Sequence, residues 1–193
     1  MSSPVDPNEV LMTGENSFIR FSPDGGTTQT DRASHWRVLW CPAGAGHALF
    51  LKSSLTGGEA KVWSDNPPVA RWLQKEIESL LFPAFADAKT PVSPAQFVRS
   101  GGIDTRATEI VVAKDAEIVL SWDDFIAPFV LSMPPGMGGR PIGVFSTFFP
   151  ARNGRISLNG KAAPGTAYME KRGDRDSSSA VLAWSETWVR PKG

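Results

Sequence analysis

The sequence predicts a mainly β protein, an antiparallel β-barrel with one amphipathic α-helix packed on it, and three observations carry that prediction. Short runs rich in Val, Ile, Leu, Phe and Trp recur between clusters of Gly, Pro, Asn and Asp. Turn chemistry suited to hairpins is dense between those runs. Only one segment shows the 3.6-residue apolar period of a long helix.

The strands expected in chain order are 17–22, 35–41, 47–53, 60–64, 95–99, 105–113, 117–122, 125–132, 142–149, 155–158, 161–163 and 179–190. Asn159-Gly160, between RISL and KAA, is the favoured two-residue turn pair, and PAGAG and SGGID supply the positive-φ positions of longer hairpin loops. The helix is expected over about 67–82. Asp65 or Asn66 can cap it, Pro67 and Pro68 suit its first turn, and Pro83 stops it. Val69, Trp72, Leu73, Ile77, Leu80 and Leu81 share a face that should lie against the sheet, with Arg71, Gln74, Lys75, Glu78 and Ser79 toward water. The segments 133–141, containing PPGMGGR, and 171–178, within KRGDRDSSS, read as flexible loops.

A final strand long enough to pair on both sides favours a closed barrel; a two-sheet sandwich is the alternative. In architecture alone this resembles small-ligand β-barrels of the lipocalin-like kind. At 193 residues and 20.8 kDa the chain suits one domain spanning 1–193.

Twenty basic residues cancel twenty acidic ones without a basic stripe, which argues against nucleic acid as a partner. No run approaches the roughly 18 apolar residues of a membrane helix and the N-terminal stretch lacks a leader pattern, so a cytoplasmic protein with no membrane partner is expected. Cys41 is the only cysteine, which removes multi-cysteine metal and redox motifs. A hairpin over Pro42–Gly46 would let Cys41 face His47, but His35 lies about six residues, roughly 20 Å, along the strand from Cys41, so no metal shared by the three is expected. No cofactor motif is present: PPGMGGRPIG lacks phosphate-loop spacing, and a strand rather than a helix follows it.

Two places carry candidate chemistry. In LSWDDFIAPF, Ile118, Leu120 and Trp122 alternate in even register, whereas Phe125, Ala127, Phe129 and Leu131 alternate in odd register. One extra residue must absorb the change of phase, and it falls at Asp123-Asp124. Those carboxylates either shape a turn, or one of them enters a pocket walled by Trp122, Phe125 and Phe129. In the last strand, strict alternation puts Leu182, Trp184, Glu186, Trp188 and Arg190 on one face. Inward, Glu186 would need a partner such as Arg190, Arg37 or Arg99, because an unpaired buried charge is costly.

The leading reading is a protein that holds a small apolar or aromatic molecule in an aromatic-lined pocket made by Trp122, Phe125, Phe129, Trp184, Trp188 and Arg190. An alternative is a cofactor-independent acid–base enzyme on the same barrel, an isomerase, dehydratase or hydrolase using Glu186 with Asp123 or Asp124. A third is an interaction module whose tryptophans form a partner or homodimer interface.

Overall fold

The computed structural model describes residues 7–192; residues 1–6 and 193, which belong to the span and to the N-terminal stretch considered above, lie outside the described residues. The strands are β1 (Asn8–Phe21), β2 (Asp31–Trp40), β3 (Gly46–Lys52), β4 (Ala60–Ser64), β5 (Val92–Gly101), β6 (Arg106–Ala113), β7 (Glu117–Phe125), β8 (Phe129–Met133), β9 (Gly143–Leu158), β10 (Lys161–Ala162), β11 (Met169–Arg172), β12 (Arg175–Ser178) and β13 (Ala180–Pro191). Nine of them, in the order β1-β2-β3-β4-β5-β6-β7-β9-β13, close into a barrel. The closing strand is β13, whose 12 residues pair with β1 on one side and β9 on the other. That double pairing removes the sheet edges a sandwich would keep.

One junction departs from the antiparallel expectation. Strand β4 pairs with β5 in parallel, Val62 opposite Val92 and Ser64 opposite Pro94. A parallel pair needs a long crossover, and the helical segment supplies it.

That segment comprises α1 (Pro67–Leu73), a π-helical turn at Gln74–Glu78 and α2 (Ser79–Leu81). It packs on the outer wall: Val69, Ala70, Leu73 and Ile77 are buried in one cluster with Trp36, Ala48, Phe50 and Val62. The wider π-turn shifts the face extrapolated at 3.6 residues per turn, so that Ile77 stays buried and Leu81 packs on the core as expected, but other positions beyond Leu73 change sides. Gln74 and Glu78 are buried instead of solvated, and Leu80 is turned out, 43% exposed. The Gln74 amide offsets its burial by donating to the Phe85 and Asp87 carbonyls at 2.7 and 2.9 Å. Asn66 is the N-cap residue as expected, its carbonyl accepting from Val69 and Ala70, but its side chain donates to the Ala45 carbonyl and makes no capping bond, and Asp65 accepts from His47.

The wall separates two cores. Ile19, Leu49, Leu51, Val111, Ile118, Leu120, Ile156 and Leu182 fill the lumen. The Trp122 indole, also luminal, donates to the Phe18 carbonyl at 3.1 Å, although β9 and β13 lie between β7 and β1 around the ring. These side chains form a packed luminal core.

Asn159-Gly160 forms the expected left-handed turn, with φ of 51° and 76°. Three strand expectations change. β9 runs unbroken through 150–154, previously read as a gap, because its second half pairs with β7 after its first half has paired with β8. The stretch 125–132 is not one strand: Phe125 ends β7, and β8 starts at Phe129 beyond Pro128, which has no N–H to give a ladder. The supposed loop 171–178 is most of the β11–β12 hairpin, turned at Gly173 with φ 62°; its polar composition hid strands that bury little apolar surface. The stretch 133–141 is irregular, with a single 3₁₀ turn at Met137–Gly139.

Candidate functional site

The site begins with a bulge in β13. Trp184 lies opposite Thr147 on β9, but Thr187 lies opposite Phe145, so Ser185 and Glu186 together face one residue. Ser185 takes a φ of 55° to make this fit. The extra residue inverts the face, leaving Leu182 and Trp184 toward the lumen and sending Glu186 and Trp188 to the outer wall. The five residues read as one face are therefore divided between two. Opposite Glu186 stands Gly14, where a Cβ would come within 2.2 Å of the Arg37 carbonyl, so the wall closes there only around a glycine.

On the outer wall, Glu186 and Trp188 line a cleft of about 100 Å³ with Asn16, Phe18, Arg20, Arg32, Leu81, Leu131, Met133, Arg140, Val144, Phe148 and Arg172. Strands β1, β2, β9 and β13 form its floor, β8 and the end of the helix its sides, and the 133–141 loop and the β11–β12 hairpin each deliver an arginine to its rim.

Four guanidinium groups thus converge on one small space. Arg20 and Arg32 are direct cross-strand partners on β1 and β2. One nitrogen of Arg20, Nη2, donates to both oxygens of Glu170 at 2.7 and 2.8 Å, and Arg172 shares the same carboxylate at 3.0 Å. Arg140 has no acidic partner among the described residues. The guanidinium of Arg172 lies over the rings of Phe18 and Phe148 at 5.7 and 5.5 Å, and that of Arg32 over Phe82 at 4.9 Å. Stacking occupies their faces, so hydrogen bonds are made at their N–H edges, as Arg172 does with Glu170. The Nε of Arg32 and the Nε of Arg172 are buried without a hydrogen-bond partner in the protein. Burial, reinforced by the charges of Arg20 and Arg140, holds both Arg32 and Arg172 below the usual arginine value.

Glu186 needs no cationic partner because it is not charged at neutral pH. It is 2% exposed, and burial pushes its pKa up to about 8 against the opposing hydrogen bond from the Trp188 indole at 3.0 Å. Arg190, expected beside it, is an exposed residue paired with Glu9 near the strand end. Glu78, under the helix, accepts from the Ser34 hydroxyl and from the Trp36 indole; burial raises its pKa as well, against the nearby Arg32.

The remaining candidates lie elsewhere. Asp124 has the φ of 56° that marks the expected change of phase, and Trp122 and Phe125 duly share the luminal core. Both carboxylates stay out of a pocket: Asp123 is held by Asn153 at 2.6 Å and Arg106 at 3.2 Å, and the exposed Asp124 faces Arg152 at 3.7 Å. Phe129 packs edge-on against Phe148, behind the cleft. Trp184 packs at a tilt against Phe149 inside the barrel, their ring centroids 4.8 Å apart.

Sequence spacing also misplaced the histidines. Arg37 pairs with His47 across β2 and β3, which puts His35 diagonally next to His47, their rings stacked at 6.2 Å. They belong to a luminal network in which Arg99 bonds Glu109 and Glu15, Arg37 lies 3.5 Å from Glu15, and His47 bonds Asp65 at 2.7 Å. His35 lies 3.8 Å from Glu109, buried without a partner on either ring nitrogen, and burial keeps it neutral by lowering its pKa well below 6.5. Cys41 is on the other side of the wall, in the helix-side core, its thiol donating to the Gly44 carbonyl, so it does not face His47. Among the described residues no group of three or more His, Cys, Asp or Glu is arranged to hold a metal ion.

No helix of the described residues is long and apolar enough to cross a membrane. Compared with protein-family models, curated proteins and solved structures, the chain gives no match.

Proposed function

We propose that the protein binds a small amphiphilic anion in the outer-wall cleft, its charge on the arginines and its apolar part against Phe18, Leu131, Phe148 and Trp188. The observation that carries this reading is the convergence of Arg20, Arg32, Arg140 and Arg172 on one cleft, with buried N–H groups left unbonded. Like charges in close array oppose the fold unless something compensates them, and unbonded buried donors cost about 1–3 kcal/mol each. A bound anion meets both demands. Of the six residues that the sequence reading gave to an aromatic pocket, only Trp188 lines this cleft, whose other aromatic walls are Phe18 and Phe148 and whose occupant is charged.

Calorimetric titration with benzoate and with benzyl alcohol, a neutral molecule of similar size, tests the reading. Benzoate should bind more weakly as salt is raised and benzyl alcohol should bind poorly. Equal affinity for the two, or no binding of either, would refute it.

An acid–base enzyme is a second reading, but it attaches to the lumen instead of to Glu186 and the Asp pair. What favours it is His35, neutral and unbonded on both nitrogens beside Glu109. A substrate would have to reach that ring, so acylation of the folded protein by diethyl pyrocarbonate, located by mass spectrometry, decides it. A His35 that stays unmodified until denaturation eliminates the reading.

A further inference from the structure

We infer that the ligand of the arginine cleft is a phosphate monoester, a dianionic tetrahedral head carried on a short apolar body. This rests on the anion-binding reading and narrows it by three observations.

The first is charge. Arg20, Arg32, Arg140 and Arg172 face Glu170, shared by two of them, and Glu78, which lies near Arg32. Even with both carboxylates counted as ionised, two positive charges are left over. A monoanion neutralises one of them and a dianion both.

The second is register. Arg20 and Arg32 stand directly opposite each other on neighbouring strands, an arrangement that normally destabilises a sheet. An anion with several acceptor oxygens spanning the two turns that repulsion into attraction. The Nε of Arg32 and the Nε of Arg172 offer donors from two different elements, which suits a tetrahedral group better than a planar carboxylate. Glu186, carrying its proton, adds a hydroxyl donor from a third element where an ionised carboxylate would repel the ligand.

The third is size. A cleft of about 100 Å³ is smaller than the roughly 150 Å³ cavity that holds a benzene ring, so it suits a phosphate head with a small attached group. The ring or short chain attached to it finds apolar contact along Phe18, Leu131 and Phe148.

Phenyl phosphate and phenyl sulfate have nearly the same shape and differ by one charge near neutral pH, since the second phosphate pKa is about 6. Calorimetric titration of the full chain with both, with inorganic phosphate and with benzoate, separates the possibilities. Phenyl phosphate should bind at least tenfold more tightly than phenyl sulfate, and Arg140→Gln should reduce that preference at least fivefold without changing the melting temperature of the unliganded protein. Equal affinity for phosphate and sulfate esters would overturn the dianion while leaving anion binding standing. Inorganic phosphate binding as tightly as the ester would overturn the apolar body. If none of the four binds, the anion-binding reading itself falls.

Discussion

The barrel carries two clusters of arginine and carboxylate, one in the lumen and one on the outer wall, and they are built on opposite principles. In the lumen two arginines, Arg37 and Arg99, meet two carboxylates, Glu15 and Glu109, so cations and anions come in matched number, while His47 hydrogen-bonds Asp65 beside them. On the outer wall, four arginines gather around fewer carboxylates, and the carboxylate at the centre of the cleft, Glu186, is neutral. Balanced charges at a barrel mouth need nothing from outside. An unbalanced set with unbonded donors is complete only when something binds, so the pattern of mismatch, more than the number of charged residues, separates a site from a scaffold.

The sharpest way to break this contrast is to delete one arginine from each cluster. Arg99→Leu leaves Glu109 and Glu15 without their main partner and should cost about 3–5 kcal/mol, read as a lower midpoint in urea denaturation. A loss under about 1 kcal/mol would mean that the luminal pairs are not what holds that end together.

Glu186 gives the next largest effect, and its sign is fixed by proton linkage. The native state keeps the Glu186 proton up to about pH 8, whereas an unfolded chain releases it near 4.5, so the native state binds more protons between those values. This group therefore makes stability fall as pH rises through that window, by up to about 1.4 kcal/mol per unit, and the loss levels off above pH 8. Glu186→Gln removes the slope while keeping an acceptor for Trp188. Denaturation at pH 5, 6.5 and 8 should show the variant gaining on the parent at each step. A constant difference across the three would place the carboxyl in a far more polar setting than the outer wall provides.

A smaller effect is expected where the contrast predicts no structural role. Arg32→Gln should weaken benzoate binding about tenfold, near 1.4 kcal/mol, and leave stability unchanged or slightly raised, since it relieves the cross-strand repulsion with Arg20. A marked fall in melting temperature would put Arg32 with the scaffold, tied to Glu78.

The smallest effect belongs to His35. Its ring is neutral and makes no hydrogen bond within the protein, so His35→Phe, which keeps the stacking with Phe97, should change stability by less than about 1.5 kcal/mol. A larger loss in a denaturation series would reveal that ordered water satisfies both nitrogens.

What the sequence disclosed and what it hid follow a single physical division. The helical segment, its stop at Pro83, the Asn159-Gly160 turn and the change of phase at Asp124 depend on a few neighbouring residues, and all were legible. The π-turn was not, because a widened turn leaves no residue type behind; it exchanged Leu80 for Glu78 on the buried face. Nor was the bulge at Ser185, since serine is not a residue that announces a positive φ, and without it Glu186 falls on the wrong face of β13. The arginines of the cleft come from two strands of one hairpin, a distant loop and another hairpin, assembled by pairings that no short stretch encodes. Only Arg20 and Arg32 left a trace: had the register of β1 on β2 been inferred first, two like charges in direct opposition would have asked for an anion.

The pairing of β1 with β13 has a consequence for how the chain comes to be folded. During synthesis from the N-terminus, β1 can pair at once with β2, but its other edge stays open until residues 180–191 emerge, and so does the matching edge of β9. Closing the ring joins segments about as far apart as the chain allows, which costs loop entropy and places this step among the slow, late ones. Until then two long strands offer unsatisfied backbone groups to any neighbour. The nascent protein is thus most exposed to misassociation just before β13 arrives.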